Sequence, residues 1–261
     1  MKIILKGKKA LVGGSSGGIG KAIAQQLAES GASVTLMSRN ENKLQKILSE
    51  LPTDQGQKHN YLLVDFSNFE AYKKIISNFF ESNSVDILIN NTQGPAAGSA
   101  LEKNIDDYQQ AFNLLFKTVV FTTELALKQM QKNNWGRIIN VASVSVKEPL
   151  SYLALSNSIR AAVVTWAKSL ANDVGKNQIT VNSILTGYFD TERITQLNAK
   201  KAEQLGISQN EVRSEMESRV PVQRIGDPNE YGYLATFLAS EKAAYITGVQ
   251  IPIDGGLLKS L

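Results

Sequence analysis

Ala10-Leu11-Val12-Gly13-Gly14-Ser15-Ser16-Gly17-Gly18-Ile19-Gly20 is the stretch that decides the fold. Residues 9–12 are apolar enough for a buried strand, and residues 20–30 carry a helical pattern that stops at Gly31. Between them the chain is rich in glycine. A glycine turn leading from a strand into a helix points backbone N–H groups, and the positive end of the helix dipole, at whatever lies above the turn. Gly14 permits the tight turn, Gly18 lets the backbone approach a pyrophosphate, and Gly20 lets helix and strand pack closely. The strand before and the helix after turn a weak glycine signal into a dinucleotide cradle.

Working outward, apolar bursts alternate with amphipathic stretches. Strands are expected at 33–37, 61–64, 85–89, 137–141, 180–184 and 248–251. Helices are expected at 42–51, Phe69–Ser82 and 157–174, with a long helical pattern over 105–133. Such alternation predicts an α/β fold, a Rossmann-type doubly wound parallel sheet with helices on both faces. No linker or repeat interrupts it, so residues 1–261 read as one domain. The rhythm breaks only at 191–219, a polar stretch with two helical patterns and no strand. Its place after a strand makes it a candidate helical lid over a ligand crevice. Leu197, Leu205, Ile207, Val212 and Met216 offer that lid an apolar underside.

The spacing Gly14-x-x-x-Gly18-Ile19-Gly20 resembles the fingerprint of the short-chain dehydrogenase/reductase family. Further motifs follow in the family's order. They are Val64-Asp65 after the third strand, Asn90-Asn91-Thr92-Gln93 after the fourth, and Gly136 to Ser143 along the fifth. Thr186-Gly187-Tyr188-Phe189-Asp190-Thr191, then Ile246-Thr247-Gly248 and Asp254-Gly255-Gly256, complete the series. The resemblance implies a cofactor held by Gly14, Ser16, Gly17 and Ile19 at the turn, and by Arg39, Asp65, Phe66, Asn91 and Thr92 along the next strand ends. Arg160, Gly187, Phe189 and Thr191 complete that set. It also implies a homo-tetramer paired through the long helices around 105–133 and 157–174, where Ala161, Val164, Trp166 and Leu170 add apolar surface.

The second strand ends Met37-Ser38-Arg39-Asn40. NAD-binding proteins of this fold place a carboxylate there, against the ribose hydroxyls. Arg39 instead offers a permanently charged fork suited to a 2′-phosphate, which favours NADP(H). Gly17 pulls the other way, because some NADP-dependent relatives supply a second basic residue at that position.

In the family a tyrosine moves the proton, and a lysine four residues later lowers the tyrosine pKa. A serine thirteen residues before the tyrosine polarises the carbonyl, and an asparagine on the preceding long helix supports a relay. Here Ser143 is kept, Ser156 stands at the tyrosine position, Arg160 at the lysine position and Leu115 at the asparagine position. Asn113 lies two residues along the helix, about 200° away, and should face elsewhere. Loss of a positioned general acid costs about 10²–10⁴ in rate. The candidates for the proton are Tyr152, a water held by Ser143 and Ser156, or the substrate itself. Ser143, Ser156, Arg160 and Tyr152 are therefore the candidate catalytic residues.

Composition narrows the classes. The chain has 261 residues, a formal net charge of +4 and no cysteine, which removes disulfides and thiolate metal sites. Its basic residues form no stripe interleaved with aromatics, so nucleic acid is not the expected partner. The single histidine, His59, lacks companions for a metal site and reads as a surface residue. No apolar run reaches the length of a membrane span or a signal peptide, so a cytoplasmic, non-membrane protein is expected. The reading is an NADP(H)-dependent oxidoreductase of a small carbonyl or alcohol, resembling 3-oxoacyl-(acyl carrier protein) reductases of a divergent branch. The alternative is a sensor or scaffold that binds NADP(H) with little or no turnover.

Overall fold

The computed structural model describes residues 2–260. Seven strands are formed: β1 (Lys9–Gly13), β2 (Ser33–Ser38), β3 (Asn60–Leu63), β4 (Ile87–Asn90), β5 (Gly136–Val141), β6 (Ile179–Thr186) and β7 (Gln250–Ile253). They pair in the order β3-β2-β1-β4-β5-β6-β7, every pair parallel. Each step between sequential parallel strands needs a crossover, which throws helices onto both faces. The central β4 and β5 are buried throughout, while the edge strands β3 and β7 alternate or stay half-open.

The helices are α1 (Gly18–Glu29), α2 (Glu41–Glu50), α3 (Phe69–Ser82), α4 (Ile105–Phe112), α5 (Thr118–Asn133), α6 (Ala154–Val174), α7 (Glu192–Leu205), α8 (Gln209–Ser218) and α9 (Pro228–Leu238). Two cores result. Leu11, Ile76, Leu88, Ile138 and Val181 fill the side under α3, α5 and α6. Val12, Ile23, Leu36, Ile89 and Tyr231 fill the side under α1, α2 and α9. The strand order reverses between β1 and β4, and ligand crevices of open α/β sheets lie at such a switch point.

Several expectations shift. The 105–133 pattern is divided by one π-helical turn, Asn113–Lys117. The third helix of the second half starts at Ala154, not 157, which puts Ser156 in its first turn. The final strand starts two residues late, because Gly248 takes φ +69° and cannot continue a strand. Helix α9 has no counterpart in the sequence reading. Its start carries a legible signal, Asp227-Pro228-x-Glu230, and the two acidic residues form a capping box around a proline at the first helical position. Val164 packs inward with Ala142, Val144 and Leu185, so it adds nothing to an outer face. His59 is half-buried, with Nδ1 accepting from Val34 N–H and Nε2 beside the Pro52 carbonyl; it fastens the loop before β3 to β2.

Candidate active site

One cavity of about 750 Å³ opens along the carboxyl ends of β1, β2, β4, β5 and β6. At one wall lies the glycine turn. Gly14 and Gly18 both take positive φ, and a Cβ on Gly20 would come within 2.2 Å of the Gly14 carbonyl oxygen. These glycines are therefore required by the turn itself. Ser15 Oγ accepts from Met37 N–H at 2.9 Å, and Asn91 Nδ2 donates to the Gly13 carbonyl at 3.0 Å. Those two bonds pin the turn to β2 and to the loop after β4.

Helix α1 begins at this turn without a side-chain cap and with no acidic residue in its first turn. Its leading N–H groups are thus left for an outside anion. A Cβ on Gly17 would meet nothing within 4 Å, so the face above the turn is open. These features fit the pyrophosphate of a dinucleotide.

Next to the turn, Ser38, Arg39, Asn40 and Lys43 form the far end of the cavity. Asn40 caps α2 by accepting from Lys43 N–H at 2.9 Å. Arg39 is exposed and bonds to no side chain among the described residues. Lys43 is held by Glu192, with Nζ at 2.8 and 3.1 Å from its carboxylate oxygens. Asp65 turns its carboxylate onto Ser67, accepting from N–H at 2.9 Å and from Oγ–H at 2.6 Å. Those bonds, with the charge of Arg39 nearby, hold it below the usual aspartate range. Phe66 lines the cavity, whereas Asp65 is not among the residues that line it.

Ser143, Ser156, Arg160, Thr92, Gly187 and Phe189 line the same cavity, as do Asn91 and Thr191 beside the glycine turn. Ser143 lies two residues past the end of β5 and caps a short 3-10 turn, its Oγ accepting from Ser145 N–H at 3.1 Å. That bond uses a lone pair and leaves the hydroxyl hydrogen free to donate into the cavity. Arg160 is half-buried and donates through Nη1 to the Val141 carbonyl. Burial lowers its pKa most; Tyr231 opposes this and Arg193 adds to it. A guanidinium remains charged under such shifts. Thr191 caps α7.

Leu115 is buried and lines a pocket of about 10 Å³ behind Arg160, together with Asn90, Asn140 and Val163. Asn90 donates to Thr123 Oγ1 and to Asn140 Oδ1, which leaves Asn140 Nδ2 without a hydrogen-bond partner. Asn113 faces outward, where its amide accepts from Gln109 at 3.1 Å. Tyr152 is not brought in with the serines. It is 48% exposed and does not line the cavity; burial of its partly covered ring raises its pKa, with Tyr188 adding to the rise and Arg219 opposing it.

Helices α7 and α8 pack on each other, Val212 is buried, and Lys201 pairs with Glu215 at 2.7 Å. Ile194 and Leu197 line the cavity, whereas Leu205 and Ile207 are exposed. The apolar underside is narrower than the sequence suggested. Lys43, Glu192 and Arg193 are cavity residues that motif reading does not find. Arg193 follows Thr191 by two positions, and its Nη2 donates to the Pro95 carbonyl at 3.1 Å.

Residues 14–258 match the family described as enoyl-(acyl carrier protein) reductase. The chain is 31% identical to an NADPH-dependent reductase, BacG, of Bacillus subtilis, across 97% of this chain and 99% of that one. It is 33% identical to the 3-oxoacyl-[acyl-carrier-protein] reductase FabG of Vibrio cholerae, across 97% and 98%. Among solved structures, L-sorbose reductase from Gluconobacter frateurii, complexed with NADPH and L-sorbose, superposes with a TM-score of 0.92 at 28% identity over all of both chains.

Proposed function

The chain belongs to the short-chain dehydrogenase/reductase family, and from that premise we propose that it is an NADP(H)-dependent oxidoreductase acting on a carbonyl or hydroxyl group. The observation that carries this reading is a single cavity. It joins the uncapped start of α1, the unpaired Arg39 at one end and Ser143 at the other. NADPH, when bound, supplies the hydride.

The chain's own residues do the rest. Gly14, Ser16, Gly17 and Ile19 receive the pyrophosphate at the helix N-terminus, and Arg39 the 2′-phosphate. Phe66, Asn91 and Thr92 flank the adenosine and ribose path, with Asp65 preceding Phe66 in the chain. Gly187, Phe189 and Thr191 border the nicotinamide end. Arg160 holds the nearby ribose and contributes a positive field. Ser143 donates its free hydroxyl hydrogen to the substrate oxygen, where charge builds during reduction. Ser156 is not acidic enough to give a proton itself. A water between Ser143 and Ser156 delivers it, and Tyr152 is the alternative donor. Tyr152→Phe separates these two, since only a phenol donor loses activity on that change.

A specific observation favours a second reading. Ser156, Arg160 and Leu115 stand where the family's proton machinery stands, so a protein that binds NADP(H) with little turnover is the alternative. Pure protein mixed with NADPH and a panel of ketones and 3-oxoacyl thioesters decides between them. Falling NADPH absorbance supports the oxidoreductase. Altered NADPH fluorescence without turnover supports the binder. No fluorescence change with NADPH would overturn both.

Assembly as a homo-tetramer belongs to the same proposal. Phe112, Phe116, Trp166 and Leu170 remain half-buried along α4, the π-helical turn after it and α6, and Phe116 meets Trp166 edge to face. Light scattering that reports a monomer at micromolar concentration would overturn it. Among the described residues no helix is long and apolar enough to cross a membrane, and no group of acidic, His or Cys side chains is assembled to hold a metal.

A further inference from the structure

The arginines of this protein divide into two kinds. Arg137, Arg213, Arg219 and Arg224, all away from the cavity, each pair with a carboxylate: Glu241, Asp190 with Glu217, Glu215, and Glu230 respectively. Arg39, Arg160 and Arg193, which line the cavity, pair with none among the described residues. Among the described residues the only acidic one in the cavity wall is Glu192, and its carboxylate is taken by Lys43.

Two of the three unpaired arginines, Arg160 and Arg193, line the same cavity as Ser143 and Ser156. Arg160 projects from the start of α6 and is anchored to the Val141 carbonyl. Arg193 projects from the first turn of α7 and is anchored to the Pro95 carbonyl. Each guanidinium has five N–H donors, and each spends one on a backbone oxygen, which leaves its charge uncompensated. Both guanidiniums stand in the wall of one cavity, and the charge of Arg193 acts against that of Arg160. Two like charges in one partly buried cavity are unfavourable until an anion joins them.

The cofactor's charges are already accounted for elsewhere. Its pyrophosphate belongs at the glycine turn, and its 2′-phosphate beside Arg39. A ribose near Arg160 accepts hydrogen bonds but cancels no charge. The cavity that Ser143 and Ser156 share with Arg160 and Arg193 therefore carries a surplus of positive charge.

Resting on the oxidoreductase reading, we propose that Arg160 and Arg193 form a carboxylate site, and that the substrate is an oxo acid or hydroxy acid. The carboxylate lies between the two guanidiniums while the reacting oxygen meets Ser143. Two planar forks suit the two oxygens of a carboxylate. Arg193 belongs to the lid, so binding of such a substrate also draws α7 toward the rim.

The probes are pyruvate, 2-oxobutyrate and acetoacetate, each against its methyl ester, which keeps the carbonyl and removes the charge. Calorimetry on the NADP⁺-loaded protein measures binding, and NADPH oxidation measures turnover. At least one acid should bind roughly tenfold or more tighter than its ester, the worth of a charge-assisted pair. Arg193→Gln should abolish that preference, Arg193→Lys should keep part of it, and NADPH affinity should change less than about twofold in both. Acids and esters that bind alike, or not at all, would overturn the site while leaving the oxidoreductase reading intact. Loss of NADPH affinity in Arg193→Gln would assign the residue to the cofactor phosphates and also overturn it. If the unaltered protein binds no NADP⁺ or NADPH, the oxidoreductase reading falls and this inference falls with it.

Discussion

Replacing Arg39 by alanine isolates what selects the phosphorylated cofactor. Two cations stand at that end of the cavity, but they are not equivalent. Lys43 is bound to both oxygens of Glu192 at 2.8 and 3.1 Å, so a phosphate that recruits Lys43 must displace a carboxylate. Arg39 has no such competitor. A hydrogen bond to a charged group is worth about 1.5–3 kcal/mol. Arg39 is exposed, and solvent screening puts its contribution around or below the lower end of that range, about 1–2 kcal/mol. That corresponds to a loss of roughly 5–30-fold in NADPH affinity. The assay is a fluorescence titration of unaltered and Arg39→Ala protein with NADPH and with NADH. NADH affinity should stay within about twofold, since it lacks the 2′-phosphate. Adding Glu192→Gln to Arg39→Ala frees Lys43 and should recover part of the NADPH affinity. Equal affinity for both cofactors in the unaltered protein, or equal loss for both on removing Arg39, would refute the reasoning.

Other outcomes are expected. The triple variant Leu115→Asn, Ser156→Tyr, Arg160→Lys rebuilds the family's proton machinery around Ser143, and ketone reduction should rise by about 10²–10⁴ over the parent, with each single change doing little. Folding and NADPH binding are checked first, because overpacking at buried Ser156 costs about 1–3 kcal/mol. A folded, NADPH-binding triple variant with no gain would show that the pocket itself has diverged. Hydrogen exchange over α7 and α8 should slow when NADPH is added, and unchanged exchange there would rule out a lid. Arg224 and the Asp227 N–H hold Glu230 at about 2, against an ordinary value of 4.5. A depressed carboxylate stabilises fully above its unfolded value and loses that contribution as pH falls through the folded one. Acid unfolding followed by circular dichroism should therefore be less steep between pH 4.5 and 2 in Glu230→Gln. An identical acid profile would show that the pair contributes nothing to stability.

Sequence alone determined the scaffold and most of the cofactor cradle. The turn at Gly14–Gly20, the apolar runs of β1 to β6 and the third helix are local patterns, because strand and helix periodicity and glycine turns are set by residues near in sequence. The same locality put Leu115, and not Asn113, on the inner side of its helix. What the sequence could not decide depends on which loops meet at the carboxyl edge of the sheet. Lys43 and Glu192 are 149 residues apart, and their ion pair exists only because folding brings the start of α7 to the start of α2. Tyr152 lies a few residues before Ser156, yet the loop before α6 leaves it out of the cavity lining, because a loop residue's direction follows from its tertiary contacts. Arg160 and Arg193 show the same limit most sharply. Each is an ordinary arginine when read along the chain. Only packing sets them in one wall with no carboxylate between them, since electrostatics acts through space and is blind to distance along the sequence.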